Sequence, residues 1–165
     1  MSKHRVLILC QANICRSPMA AGYLNKLISD YAIEGADVDS AGLQAMKDNK
    51  VPEPGKVVSL RHGFSVNEHR ARQVTAEDLS EADDVLVMER TQLATLEWLD
   101  AKQGGGRRKV FLLGEFSPLD EDEIDDPYGG SVEDYEAIFA TIKAAVDGYF
   151  FQRLLPAIEK AGEQK

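Results

Sequence analysis

Three short, unbroken apolar runs constrain this chain most: Val6-Leu7-Ile8-Leu9, Val85-Leu86-Val87-Met88 and Val110-Phe111-Leu112-Leu113. Runs of that length without alternation mark strands buried on both faces, as in a parallel sheet covered by helices. The segments between them read as those helices. Ser17-Pro18 opens one, and Met19, Ala20, Tyr23, Leu24, Leu27 and Ile28 follow at helical spacing. Pro54 to His62 reads as a second, stopped by Gly63; a third starts at Thr75 and reaches about Ala82. Thr91 to Asp100 is a fourth, broken by Gly104-Gly105-Gly106. Ser131 opens the last with a capping-box pattern, and Tyr135, Ile138, Phe139, Ile142, Val146, Phe150 and Leu154 make its apolar stripe. A weaker strand near Val38 ends at Ser40-Ala41-Gly42, and residues 43–53 and the acidic 115–130 read as loops. Strand and helix alternate, so the expected class is α/β with a mostly parallel sheet, in one domain over residues 1–165.

With 165 residues the chain can bury a core without staples. Its 28 Asp+Glu against 19 Lys+Arg give a net charge of −9, which excludes a general binder of nucleic acid. Two cysteines, Cys10 and Cys15, allow neither a disulfide framework nor a four-cysteine zinc site, and no metal or other cofactor is expected. The apolar run behind the basic Met1 to Arg5 is too short for a signal peptide, and no run approaches the ~20 residues of a membrane span. The expectation is a soluble cytoplasmic protein without a membrane or nucleic-acid partner, a monomer or weak homodimer.

In an open parallel sheet, ligands lie beyond the carboxyl ends of the strands. After the first strand comes Cys10-Gln11-Ala12-Asn13-Ile14-Cys15-Arg16-Ser17-Pro18. A turn between a buried strand and a helix N-terminus gathers free backbone N–H groups and the positive dipole end, which is an anion site. Five residues between Cys10 and Arg16 let the loop wrap a tetrahedral phosphate while the guanidinium closes the ring on two oxygens. The same surroundings favour thiolate over thiol, and Ser17 is placed to donate to it. A lone cysteine at a strand end is ordinarily a core filler; the strand before and the helix after decide for a nucleophile.

These residues resemble the signature loop of the low-molecular-weight protein tyrosine phosphatases. Ser40-Ala41-Gly42, His69-Arg70-Ala71-Arg72-Gln73-Val74-Thr75 and Asp126-Pro127-Tyr128-Gly129-Gly130 match further segments of that family in order. The resemblance implies a three-layer α/β/α domain, its four-stranded parallel sheet in the order 2-1-3-4, acting on a phosphorylated protein or peptide. It implies Cys10 as nucleophile and Arg16 with the loop amides of Gln11, Ala12, Asn13, Ile14, Cys15 and Ser17 as the phosphate cradle. It also implies that His69 supports Asn13, that Met46 and Tyr128 border the substrate cleft, and that Cys15 can pair with Cys10 as a redox guard, its other reading being a small core filler. Asp126 is implied as general acid and then base, and like charges at Asp122, Glu123 and Asp125 would help it keep its proton.

The chain departs from the family at Ala12, where members usually carry glycine; a positive φ there would strain the loop. Met46 stands where eukaryotic members carry an aromatic residue. The Asp126 to Ser131 segment also resembles the protein arginine phosphatases, but those carry threonine where Ile14 stands, which favours phosphotyrosine. Arsenate reduction by the thioredoxin-coupled route needs further cysteines, and none follows Cys15. A binding module without turnover would lack Cys10 or Asp126, and both are present.

Overall fold

The computed structural model describes residues 3–103 and 108–163, so the Gly104-Gly105-Gly106 breaker lies outside the described residues. Strands β1 (His4–Cys10), β2 (Ala36–Gly42), β3 (Asp84–Val87) and β4 (Lys109–Leu112) pair in parallel, in the order β2-β1-β3-β4. The helices are α1 (Arg16–Asp30), α2 (Glu53–Arg61), α3 (Ala76–Glu81), α4 (Arg90–Gln103), α5 (Val132–Tyr149) and α6 (Leu155–Glu163).

Alternate residues of the central strands face opposite layers. Val6, Ile8 and Leu86 pack with Met19 and Leu24 of α1 and Phe139, Ile142 and Tyr149 of α5. Leu7, Leu9, Val85 and Val87 turn the other way, against Leu79 of α3 and Leu96 of α4. Both faces are covered, which is why the strands read as unbroken apolar runs. The outcome is the expected α/β/α sandwich. The capping box suggested at Ser131 forms, and the N-cap suggested at Thr75 closes into a capping box as well.

Some bounds differ. The weak strand near Val38 is a full seven-residue β2, whose exposed Asp37 and Asp39 dilute its apolar pattern. Leu113 leaves β4 for a 3-10 turn, Leu113–Phe116. The last helix does not stop near Leu154: one π turn, Phe150–Leu154, joins α5 to α6. Among the described residues no helix is long and apolar enough to cross a membrane.

The π turn brings Arg153 to the amino end of β3, where Asp84 is fully buried. Asp84 accepts hydrogen bonds from Tyr149 Oη (2.7 Å), His4 Nε2 (3.0 Å) and Arg153 Nη2 (2.8 Å) and Nε (3.1 Å). Burial alone would raise its pKa, but the bonds from His4, Arg153 and Tyr149 hold it well below the usual carboxylate range. A depressed folded-state pKa adds stability that is present above the unfolded value of about 4 and lost as pH falls below it. Asp84→Ala strands Arg153 and His4 and is expected to cost about 3 to 5 kcal/mol, read as a lower urea midpoint at pH 7. The gap between variant and parent should narrow below about pH 4; an unchanged midpoint at pH 7 would sink this account.

The sheet order sets the site. The chain leaves β1 toward β2 on one side and returns to β3 on the other, so the loops beyond β1 and β3 part and leave a crevice.

Candidate active site

The loop from Cys10 to Arg16 lies in that crevice, with α1 starting at Arg16. Its shape is held by Asn13, the residue with the left-handed backbone (φ 62°). Asparagine tolerates that region when its side chain bonds locally, and here the side chain is buried and satisfied throughout. Nδ2 donates to Ser17 Oγ (2.8 Å) and Ser40 Oγ (3.0 Å), and Oδ1 accepts from the Arg72 backbone N–H (2.9 Å). His69 Nε2 donates to the Asn13 carbonyl at 2.7 Å. Burial lowers the His69 pKa, so the ring that makes this bond is neutral near pH 7. Ala12 carries no positive φ, and the strain expected from its missing glycine is absent. The close approach falls instead at Gly42, where a Cβ would meet the Gln11 carbonyl at 2.9 Å.

Cys10 Sγ sits at the base of the loop, 3.0 Å from Ser17 Oγ and 3.3 Å from the Asn13 backbone N–H. Ser17 Oγ already accepts from Asn13, so its own hydrogen is free to donate to the sulfur. Two donors thus converge on one sulfur.

Arg16 is 3 % exposed. Its Nη1 donates to the Ile124 carbonyl (2.8 Å) and pairs with Glu89, at the exit of β3. Its Nη2 faces the Asp126 carboxylate at 3.8 Å. The buried Gln92 fixes that exit by accepting from the Met88 (2.8 Å) and Glu89 (3.2 Å) backbone N–H groups. Asp126 is held by its own turn, its Oδ1 accepting from the Tyr128 backbone N–H at 3.0 Å. The buried Ile124 and Pro127 flank it, and Ile124 N–H donates to the Met88 carbonyl at 3.0 Å.

The result is a cleft of about 110 Å³ lined by Cys10, Gln11, Ala12, Ile14, Cys15, Arg16, Met46, Asp126 and Tyr128. At about 30 Å³ per water it has room for one tetrahedral oxyanion. Asn13, Ser17 and His69 form the layer behind it. Met46 and Tyr128 stand exposed at the mouth, Tyr128 by 60 %. A roomier groove of about 600 Å³ between His62 and Phe151 on the outer side of α5 has no cysteine in its lining.

Both cysteines are free. Burial pushes the Cys15 thiol up to about 11, although its contact with Tyr135 Oη (3.2 Å) pulls the other way. Cys15 is therefore a neutral thiol at pH 7. The expected crowd of like charges around Asp126 is thinner than the sequence suggests, because Asp122 and Glu123 turn to Arg90. Among the described residues no three His, Cys, Asp or Glu are placed to hold a metal ion.

Glu89, Ile124 and Tyr135 support the site beyond the residues its motifs point to, and Ser40, from the Ser40-Ala41-Gly42 segment, gains a role by accepting from Asn13. Tyr135 was visible only as part of an apolar stripe, and Glu89 only as a polar residue after a strand.

The family model for low molecular weight phosphotyrosine protein phosphatase matches residues 5–161. The low molecular weight phosphotyrosine protein phosphatase of Sus scrofa is 35% identical over 135 residues, covering 81% of this chain and 85% of its own. Among solved structures, the low molecular weight protein tyrosine phosphatase of T. tengcongensis superposes with a TM-score of 0.80 at 30% identity, over 90% of this chain and 98% of its own. The Drosophila arginine phosphatase superposes at 0.83 with 27% identity, over 89% and 96%. With the family model spanning nearly its whole length and these relatives sharing its fold, the chain belongs to the low molecular weight phosphotyrosine protein phosphatase family and is an enzyme of that family.

Proposed function

We propose that the chain hydrolyses phosphotyrosine in proteins through a phosphoryl group carried on Cys10. The observation that supports this most is the convergence of a buried sulfur, a buried guanidinium and a carboxylate on one cleft sized for a phosphoryl group. Cys10 thiolate attacks phosphorus; the S–P bond forms as the ester P–O bond breaks, and Asp126 gives its proton to the departing phenol oxygen. Asp126, now a carboxylate, takes a proton from water as that water attacks phosphorus, and the S–P bond breaks to release phosphate. Arg16 and the loop amides carry the charge on the equatorial oxygens in both steps. Cys15, a free thiol in the lining of the same cleft, is the candidate redox guard.

Ile14, in the cleft lining where the arginine phosphatases carry threonine, favours phosphotyrosine, while Met46 and Tyr128 border the mouth. The protein acts on phosphorylated protein substrates in the cytoplasm as one catalytic unit, as a monomer or weak homodimer, without metal, nucleic acid or membrane.

Three substrates test this: p-nitrophenyl phosphate, a phosphotyrosine peptide and a phosphoarginine protein, each with the parent and Asp126→Asn. The parent should prefer the phosphotyrosine peptide to the phosphoarginine protein. Asp126→Asn should lower turnover of the peptide by about 10² to 10⁴-fold, the range for a lost general acid. Preference for phosphoarginine would move the chain to the second substrate class. An unchanged rate in Asp126→Asn would remove Asp126 from the chemistry.

A further inference from the structure

Asp126 stands on a stretch, residues 117–131, that contains neither helix nor strand. Its turn with Tyr128 sets the carboxylate relative to the stretch; something else must set the stretch relative to Cys10. Ile124 does part of this from below, its N–H on Met88 and its carbonyl on Arg16. From above the work falls to Arg90, the first residue of α4. Its Nη1 donates to Glu123 Oε1 at 3.0 Å, its backbone N–H reaches Glu123 Oε2 at 3.4 Å, and Nη2 pairs with Asp122. The Asp122 backbone in turn lies so close to Gly114 that no Cβ would fit there.

Adjacent residues at the exit of β3 therefore hold the two halves of the chemistry. Glu89 holds Arg16, and Arg90 holds the stretch bearing Asp126. We propose that Arg90 is a positioning residue for Asp126, fixing the distance between the proton donor and the phosphoryl group bound in the Cys10 loop. This rests on the reading of Asp126 as general acid.

Arg90 lines no part of the cleft and is largely exposed, with side-chain exposure of 58%. An isolated surface ion pair at such a site contributes little. Arg90 differs in meeting two carboxylates and giving its backbone N–H to one of them. Those carboxylates would otherwise repel each other and the neighbouring Asp125 and Asp126 across a five-residue span. Freeing the span displaces a group whose action depends on being placed to within about an ångström.

The proposal predicts a leaving-group signature. kcat/KM reports transfer of the phosphoryl group to Cys10. That step needs the proton most when the leaving phenol is poor. Arg90→Ala should lower kcat/KM about tenfold for phenyl phosphate and less than about twofold for p-nitrophenyl phosphate. Inhibition by inorganic phosphate should change less than about twofold, since the loop around Cys10 is untouched. Arg90→Lys should recover part of the loss, because one ammonium lacks the fork that spans two carboxylates. Glu123→Gln should reproduce the leaving-group signature more weakly. If Arg90→Ala does not fold, Arg90→Lys and Glu123→Gln carry the comparison.

Equal losses on both substrates, or none, would overturn the role of Arg90. Asp126→Asn, measured alongside, separates the two ideas. If it shows the leaving-group signature and the Arg90 variants do not, only the positioning role falls. If it shows none, the acid assignment falls with it.

Discussion

Cys10→Ser is expected to abolish turnover while leaving the phosphate cradle able to bind. The sulfur receives donors from Ser17 and the Asn13 backbone, and a serine oxygen at the same place accepts the same bonds, so the loop has no reason to collapse. The chemistry does not survive. An alcohol at neutral pH is a far weaker nucleophile than a thiolate, and the partners of the Cys10 sulfur, the Ser17 hydroxyl and the Asn13 N–H, are not bases that could activate it. Loss of a nucleophile with the rest of a site intact costs about 10⁴-fold or more in kcat. Calorimetry should still find binding of inorganic phosphate within about threefold of the parent. Rapid quenching should trap phosphoryl-enzyme in the parent and none in the variant. Turnover retained within tenfold would remove Cys10 from the mechanism, whatever the fate of binding.

The second large effect is at Arg16, and the informative change is the smallest. Arg16→Lys keeps the charge but not the fork. One edge of the guanidinium is used by Glu89 and the Ile124 carbonyl, and the other faces Asp126 and the cleft. An ammonium lacks the planar pair of edges and cannot meet both sets of partners. The expected loss in kcat/KM on p-nitrophenyl phosphate is about 10² to 10³-fold, the range for removing one strong donor to a developing oxyanion. Weaker inhibition by inorganic phosphate should accompany it, since the role proposed for Arg16 has it meet the phosphoryl oxygens in the ground state too. Circular dichroism should show the parent fold. A rate within fivefold of the parent would mean that charge alone suffices.

Local features were legible in the sequence wherever a short segment carries its own reason. The three apolar runs, the proline in the first turn of α1 and the helix caps at Thr75 and Ser131 need only their neighbours. So does the spacing of Cys10 and Arg16, because the loop between them is one continuous turn. Residues that act through tertiary register were not legible. Glu89 meets Arg16 only because β3 lies beside β1, and Ser40 meets Asn13 only because β2 lies on the other side. Ala12 shows the same limit in reverse: a missing glycine suggested strain, but the side chain of Asn13 lets the loop take its left-handed residue one position later. The acidic stretch before Asp126 misled through composition, since its charges were counted without the arginine from α4 that meets two of them.

The ionic knot at Asp84 and the phosphoryl cradle share two strands but occupy opposite ends of them. β1 has seven residues at about 3.3 Å each, so roughly 20 Å of sheet separates His4 from Cys10. A protein built this way has a natural handle. Fluorophores, affinity tags or tethers to a solid support belong at the His4 end of the sheet, which is remote from the cleft and its mouth at Met46 and Tyr128. Such an attachment leaves the approach of a bulky phosphoprotein unobstructed, and an immobilised enzyme would present its working face to solution.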